Sequence, residues 1–141
     1  MEIVVRRFAR YHKAVHGRLS ICGEHVCDTL ESSDNCLPPG TYPLRIEAVK
    51  GVRRKCLMLG EQARLLACNG PFTLEGGQIS IGECHHLGFL IHCREYFEPL
   101  LERVRMAQRR HQNITVIIRE DDDGYVVCLY TSSQATISAP R

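Results

Sequence analysis

Short stretches of the chain, such as 18–22 and 78–82, alternate apolar and polar residues singly, which is the period of strands buried on one face. Residues 2–8 are β-branched and half apolar and predict a first strand. Residues 10–17 are polar, hold His12 and His16, and read as a loop. Alternation resumes at Arg18-Leu19-Ser20-Ile21-Cys22, and Gly23-Glu24 suits a two-residue type II′ hairpin with glycine at the first central position. Residues 25–30 form the returning strand. Pro38-Pro39-Gly40 then forces an elbow, because proline fixes φ and keeps the residue before it out of the helical region. Residues 41–49 resume as a strand, and Glu31 and Tyr42 are placed to hold the elbow by hydrogen bonds. Short apolar runs at 56–59 and 64–68 flank Gly60-Glu61, residues 78–82 alternate cleanly, and 87–91 form a further apolar run. Residues 113–118 and 124–130 are the two clearest strands, joined as a hairpin by Asp121-Asp122-Asp123-Gly124.

One segment has a different period. Between residues 93 and 110, Phe97, Leu100, Leu101, Val104 and Ala107 recur at helical spacing and make one apolar stripe. Acidic residues gather early in it and basic ones late, which suits the helix dipole. Pro99 is the awkward residue, and the reading starts the helix early, near Arg94, with local distortion at the proline. Residues 131–141 are rich in Ser, Thr and Ala and read as a frayed tail after a single β-rich domain spanning 1–130. The predicted class is α+β: a predominantly antiparallel β sheet or partial barrel with one amphipathic helix packed on it.

Composition narrows the functional classes. A chain of 141 residues with 44% hydrophobic residues can bury a core without disulfide staples. A net charge of +2 is too mild to point to nucleic acid or an anionic membrane. No window approaches the roughly 20 apolar residues of a membrane span. The opening residues lack the basic-then-apolar order of a signal peptide, so the expected location is the cytoplasm. Eight cysteines is a high count, but no C-x-x-C pair occurs, and five of them (Cys22, Cys27, Cys56, Cys68 and Cys128) sit in or beside apolar runs. They read as reduced structural thiols.

The stretch Cys27-Asp28-Thr29-Leu30-Glu31, followed by Cys36-Leu37-Pro38-Pro39-Gly40-Thr41-Tyr42, carries a resemblance. With the Gly17-Arg18-Leu19 hairpin before it, it resembles a family of small uncharacterised bacterial and phage proteins, a domain of unknown function. That family carries a histidine and a cysteine further on, and the two look like the pair used by L,D-transpeptidases, whose thiolate attacks a peptide carbonyl. The resemblance puts Cys68 at the histidine position and Gln78 at the cysteine position, and Cys93-Arg94 where the family starts a helix with Ser-Arg. Glutamine cannot act as a nucleophile, and a thiol is no substitute for imidazole as a base near neutral pH. The resemblance therefore implies a retained scaffold without its dyad.

Other chemistry concentrates in Cys84-His85-His86 and His92-Cys93. Cys84, His85, His86 and His92 are the candidate metal ligands, although a single strand over 87–91 would hold the two groups about 16 Å apart unless the chain folds back. Cys93, Cys84, His86, His92 and Cys68 are the candidate catalytic residues, with Cys93 placed at a helix N-terminus where the dipole favours thiolate, or serving only as the helix cap. The Asp121–Asp123 run reads as a solvated tip, and Arg103, Arg105, Arg109 and Arg110 as a solvated helix face. The expected function is a non-catalytic binding or assembly module, with no cofactor and no nucleic acid. Its partner is an unknown protein or a cell-wall peptide. The alternative is a cysteine-dependent peptidoglycan-acting enzyme with a displaced site near residues 84–93.

Overall fold

Alternation over eight strands is what a closed barrel requires, since each strand then has one face for the interior and one for the outside. The computed structural model describes residues 1–53, 55–68, 70, 74 and 77–120, and the backbone at 126–127. In chain order the elements are β1 (Glu2–Tyr11), β2 (Ala14–Ile21), β3 (Glu24–Ser32), β4 (Gly40–Glu47), β5 (Cys56–Leu59), β6 (Ala63–Leu66), β7 (Ile79–His86), β8 (Phe89–Ile91), α1 (Cys93–Arg109), β9 (Thr115–Glu120) and β10 (Val126–Val127). The ring runs β1-β2-β3-β7-β6-β5-β4-β9 and closes through β9 onto β1. Two neighbour pairs, β1–β9 and β6–β7, are parallel and the others antiparallel, so this is an eight-stranded mixed barrel with one helix packed against its strands.

The interior follows the strand period. Ile3 and Val5 of β1, Leu19 and Ile21 of β2, Cys27 of β3, Ile79 and Ile81 of β7, and Val116 and Ile118 of β9 share one buried cluster. Leu100, Val104 and Ala107 of α1 enter the same cluster, so the predicted apolar stripe is the buried face. The helix covers the barrel end that carries Met1, Ile3 and Val116. Gln108 Oε1 accepts from the Ile46 backbone N–H at 2.8 Å, satisfying β4 where β9 no longer reaches it.

The elbow closes the opposite end. It does not join neighbouring strands: β3 and β4 lie apart in the ring, with β7, β6 and β5 between them. The Tyr42 hydroxyl donates to the Pro38 carbonyl, and the Leu37 carbonyl accepts from Arg7 Nη2 at 2.6 Å. Arg7 sits at the same inward parity as Ile3 and Val5 and is 1% exposed. Its Nε and Nη2 donate to the two oxygens of Glu31 at 2.9 and 2.7 Å, and Nη1 lies 3.4 Å from Glu120. Glu31 thus holds the elbow, as its position suggested, but through a buried arginine on β1.

Several local expectations need correction. Residues 10–17 are no loop: β1 runs to Tyr11 and β2 begins at Ala14, with His12-Lys13 as a tight turn and His12 at φ 52°. Val15 and His16 are both buried although they lie on opposite faces of β2: Val15 keeps the inward parity of Leu19 and Ile21, and His16 is covered by the β7–β8 hairpin, from whose Gly88 N–H it accepts. The next turn is Cys22-Gly23, not Gly23-Glu24, because Ile21 pairs with Glu24. Both turn residues have positive φ, the type I′ pattern, and Cys22 is exposed rather than in a strand. Residues 87–91 contain a turn, Leu87-Gly88, so β8 folds back on β7. The helix starts early with Pro99 inside it, as expected, but its N-cap is His92 in the left-handed region rather than Cys93. Val126–Val127 pairs in parallel with β1 at Ala9 and Arg10, prolonging the edge occupied by β9 instead of forming a hairpin with it. Residues 121–125, the rest of the 124–130 run and the 131–141 tail lie outside the described residues.

Candidate functional site

Every cysteine-bearing candidate lies near the start of α1, and the reason is a glycine. β7 passes under the first helical turn at Gly82, where a Cβ would stand 2.9 Å from Cys93 Sγ, 3.0 Å from the Ile91 carbonyl and 3.2 Å from Leu90 Cβ. The missing side chain lets Cys93 turn inward, where it is 6% exposed and packs with Ala14, Leu30 and Leu90. Because β8 folds back, Cys84 joins the edge of this second cluster. Gly82→Ala is therefore expected to lower stability by about 1–3 kcal/mol, the usual cost of overpacking. Chemical denaturation checks this, and Cys93→Ala in the same background should recover part of the loss.

The side chains then part company. The Cys93 thiol reaches the Cys68 carbonyl at 3.5 Å, and Ser80 Oγ accepts from the Cys68 N–H at 2.8 Å while donating to the Cys68 carbonyl. Ser80, fully buried on β7, thus pins the chain after β6 against the barrel wall, with Cys68 Sγ 3.2 Å from the Gly70 carbonyl. Gln78, half-buried just before β7, precedes the Ile79–Leu65 pair. His92 points the other way: its side chain is 57% exposed, with Nδ1 3.3 Å from Glu95. His85 and His86 meet edge to face at 4.1 Å on the exposed β7–β8 hairpin. The Cys84 N–H donates to Asp28 at 2.8 Å and its thiol lies 3.8 Å from the His86 carbonyl.

The electrostatics oppose an activated nucleophile. Burial pushes the Cys93 thiol above its ordinary range, and the neighbouring Cys68 thiol adds to that. The helix dipole, which was expected to favour thiolate, is outweighed by desolvation. Cys27 is pushed up to about 12 by burial and the adjacent Asp28. Among the described residues no three His, Cys, Asp or Glu side chains converge as metal ligands, so Cys84, His85, His86 and His92 do not form a cage. The seven described cysteines are not joined in disulfides.

What the sequence reading missed lies on the flank of the same helix. Two shallow grooves run along α1. One, of about 250 Å³, is lined by Val52, Lys55, Arg64, Leu66, Arg94 and Phe97, with Glu98 at its rim. The other, of about 360 Å³, is lined by Ile46, Lys55, Arg105, Gln108 and Arg109. Lys55 belongs to both, so they form one continuous face. Arg105 pairs with Glu102, while Lys55, Arg64, Arg94 and Arg109 have no carboxylate within 4 Å among the described residues. Residues 94, 98, 105 and 109 share one helical stripe. The basic turn at 51–55 was visible in the sequence, but its meeting with Arg94 and Arg109 is tertiary.

No helix among the described residues is long and apolar enough to cross a membrane. In comparisons with family models, curated proteins and solved structures, none matches this chain.

Proposed function

We propose that the protein is a non-catalytic binding or assembly module built on a closed barrel. The observation that carries this reading is the state of Cys93: buried, its thiol raised above the ordinary range by burial, and directed at a backbone carbonyl while His92 faces solvent beside Glu95. An acyl-transfer site needs a thiolate, a base within hydrogen-bond reach and room for a carbonyl beside both. The resemblance to the small bacterial and phage family supports the same reading, because Cys68 and Gln78 stand where that family has histidine and cysteine. The competing assignment, a cysteine-dependent enzyme acting on cell-wall peptides, requires Cys84 or Cys93 to be drawn out of its packing.

The test is turnover. Incubated with donor and acceptor peptides bearing D-amino acids, the protein should leave them unchanged by mass spectrometry over hours. Joined or cleaved peptide appearing at about 1 s⁻¹, within the ordinary enzymatic range, would sink the reading.

A further inference from the structure

We propose that the basic face along α1 binds an extended acidic peptide. The proposal rests on the reading of the protein as a binding module and names its ligand. Charge comes first. Among the described residues the lining of the two grooves contributes Lys55, Arg64, Arg94, Arg105 and Arg109 against the carboxylate of Glu98, with Arg105 also paired to Glu102 beside the groove. Lys50 and Arg53, both exposed, continue the basic character along the adjoining loop. Arginine forks match carboxylates in two-pronged pairs, and Arg64, Arg94 and Arg109 spaced along a groove with Lys55 suit a row of carboxylates better than one compact anion.

The apolar part of the lining decides between polyanions. Val52 is 40% exposed, and Leu66, Phe97 and Ile46 are half-buried between the cations. Alternating aliphatic and charged surface fits a chain whose side chains alternate between acidic and apolar. A single-stranded nucleic acid would want open aromatic faces for its bases. Phe97 offers none, because it packs against the core cluster. Length fits as well. Arg94 to Arg109 is 15 helical positions, about 22 Å, which an extended peptide of roughly seven residues would span. The barrel is closed, so recognition is by side chains in the groove rather than by strand addition at an open edge.

The probe is a fluorescein-labelled eight-residue peptide alternating Glu with Leu, followed by anisotropy against the full chain. A Gln-for-Glu peptide and a single-stranded oligonucleotide of equal charge serve as comparators. The Glu peptide should bind at least tenfold more tightly than either. Its binding should weaken at least tenfold between 50 and 500 mM salt, as surface charge pairing does. Lys55→Ala with Arg94→Ala should lower affinity at least tenfold. Both residues are exposed, and an unchanged thermal midpoint confirms the fold. Arg103→Ala, on the other flank of α1 beside Met1, should leave binding as it was. Equal binding of the Glu and Gln peptides, absence of binding, or tighter binding of the oligonucleotide would each overturn the proposal. Any of these in a protein that shows no peptide turnover leaves the module reading standing and removes only its ligand.

Discussion

Glu31→Leu is expected to destabilise the protein by about 3–5 kcal/mol, the largest effect of any single polar substitution considered for this chain. Glu31 is fully buried and receives both Nε and Nη2 of Arg7, itself 1% exposed. Burial raises the Glu31 carboxyl, and the Arg7 guanidinium works against that by hydrogen bond and charge. Removing the carboxylate leaves a guanidinium in the barrel end with Glu120, 39% exposed and 3.4 Å away, as a poor substitute. Breaking a buried pair from one side costs more than removing both ends of it. The double substitution Arg7→Met with Glu31→Leu should therefore recover most of the loss, while Glu120→Gln should cost under about 1 kcal/mol. Urea titrations of the wild type, Arg7→Met, Glu31→Leu and the double variant measure the coupling. If the double variant were as unstable as the sum of the singles, the pair would not be acting as a unit. The elbow should report the same event, because the Leu37 carbonyl takes its hydrogen bond from Arg7.

The second large effect is a pH dependence from His16. It is 1% exposed, and its Nε2 accepts from the Gly88 N–H at 2.7 Å, which puts the neutral ring's proton on Nδ1. Among the described residues Nδ1 has no hydrogen-bond partner. Burial lowers the His16 pKa from 6.5 to about 4. Below pH 6.5 the unfolded chain takes up a proton that the folded chain refuses until about pH 4. The unfolded state binds more protons across that window, so stability is lost as pH falls through it. A shift of this size corresponds to about 3 kcal/mol, fully present above pH 6.5 and gone near pH 4. Other groups titrate over the same range, so the difference from His16→Gln is the quantity to follow. Glutamine keeps an acceptor for Gly88 without a titrating ring. The stability gap between the two proteins should move by about 3 kcal/mol toward the variant between pH 7 and pH 4. A gap that stays constant would mean that His16 titrates normally in the fold.

Much of the architecture was legible because strands announce themselves by parity. Leu19 and Ile21 alternate with Arg18 and Ser20, and Ile3, Val5, Val116 and Ile118 keep the same two-residue period within β-branched runs; all six face the core. The apolar stripe of α1 was legible for the same reason at the helical period. Arg7 was hidden in plain view: its parity matches Ile3 and Val5, yet a charged residue reads as solvent-facing until a partner such as Glu31 is brought to it from β3. The β1–β2 turn was misread because His12-Lys13 lacks a glycine, and His12 itself takes the positive φ. The fold-back at Leu87-Gly88 was the decisive local miss, since a two-residue turn inside an apolar run looks like a continuous strand. That turn places Cys84 and Cys93 on one cluster. It could not have been known from spacing alone that His92 would face outward from the same corner. The groove face was out of reach because Lys55, Arg64 and Arg94 come from three separate elements of the chain.

The account depends most on the thiols being part of the packing, and alkylation of the native protein measures that directly. Treated with iodoacetamide at neutral pH and mapped by mass spectrometry, Cys22 should be modified first among the described cysteines, because it is the exposed one. Cys27 and Cys93 should stay unmodified until denaturant is added, the first held near 12 and the second buried beneath the helix. A native protein in which Cys93 or Cys84 reacts ahead of Cys22 would contradict the account, because only a thiolate kept open to solvent could do so.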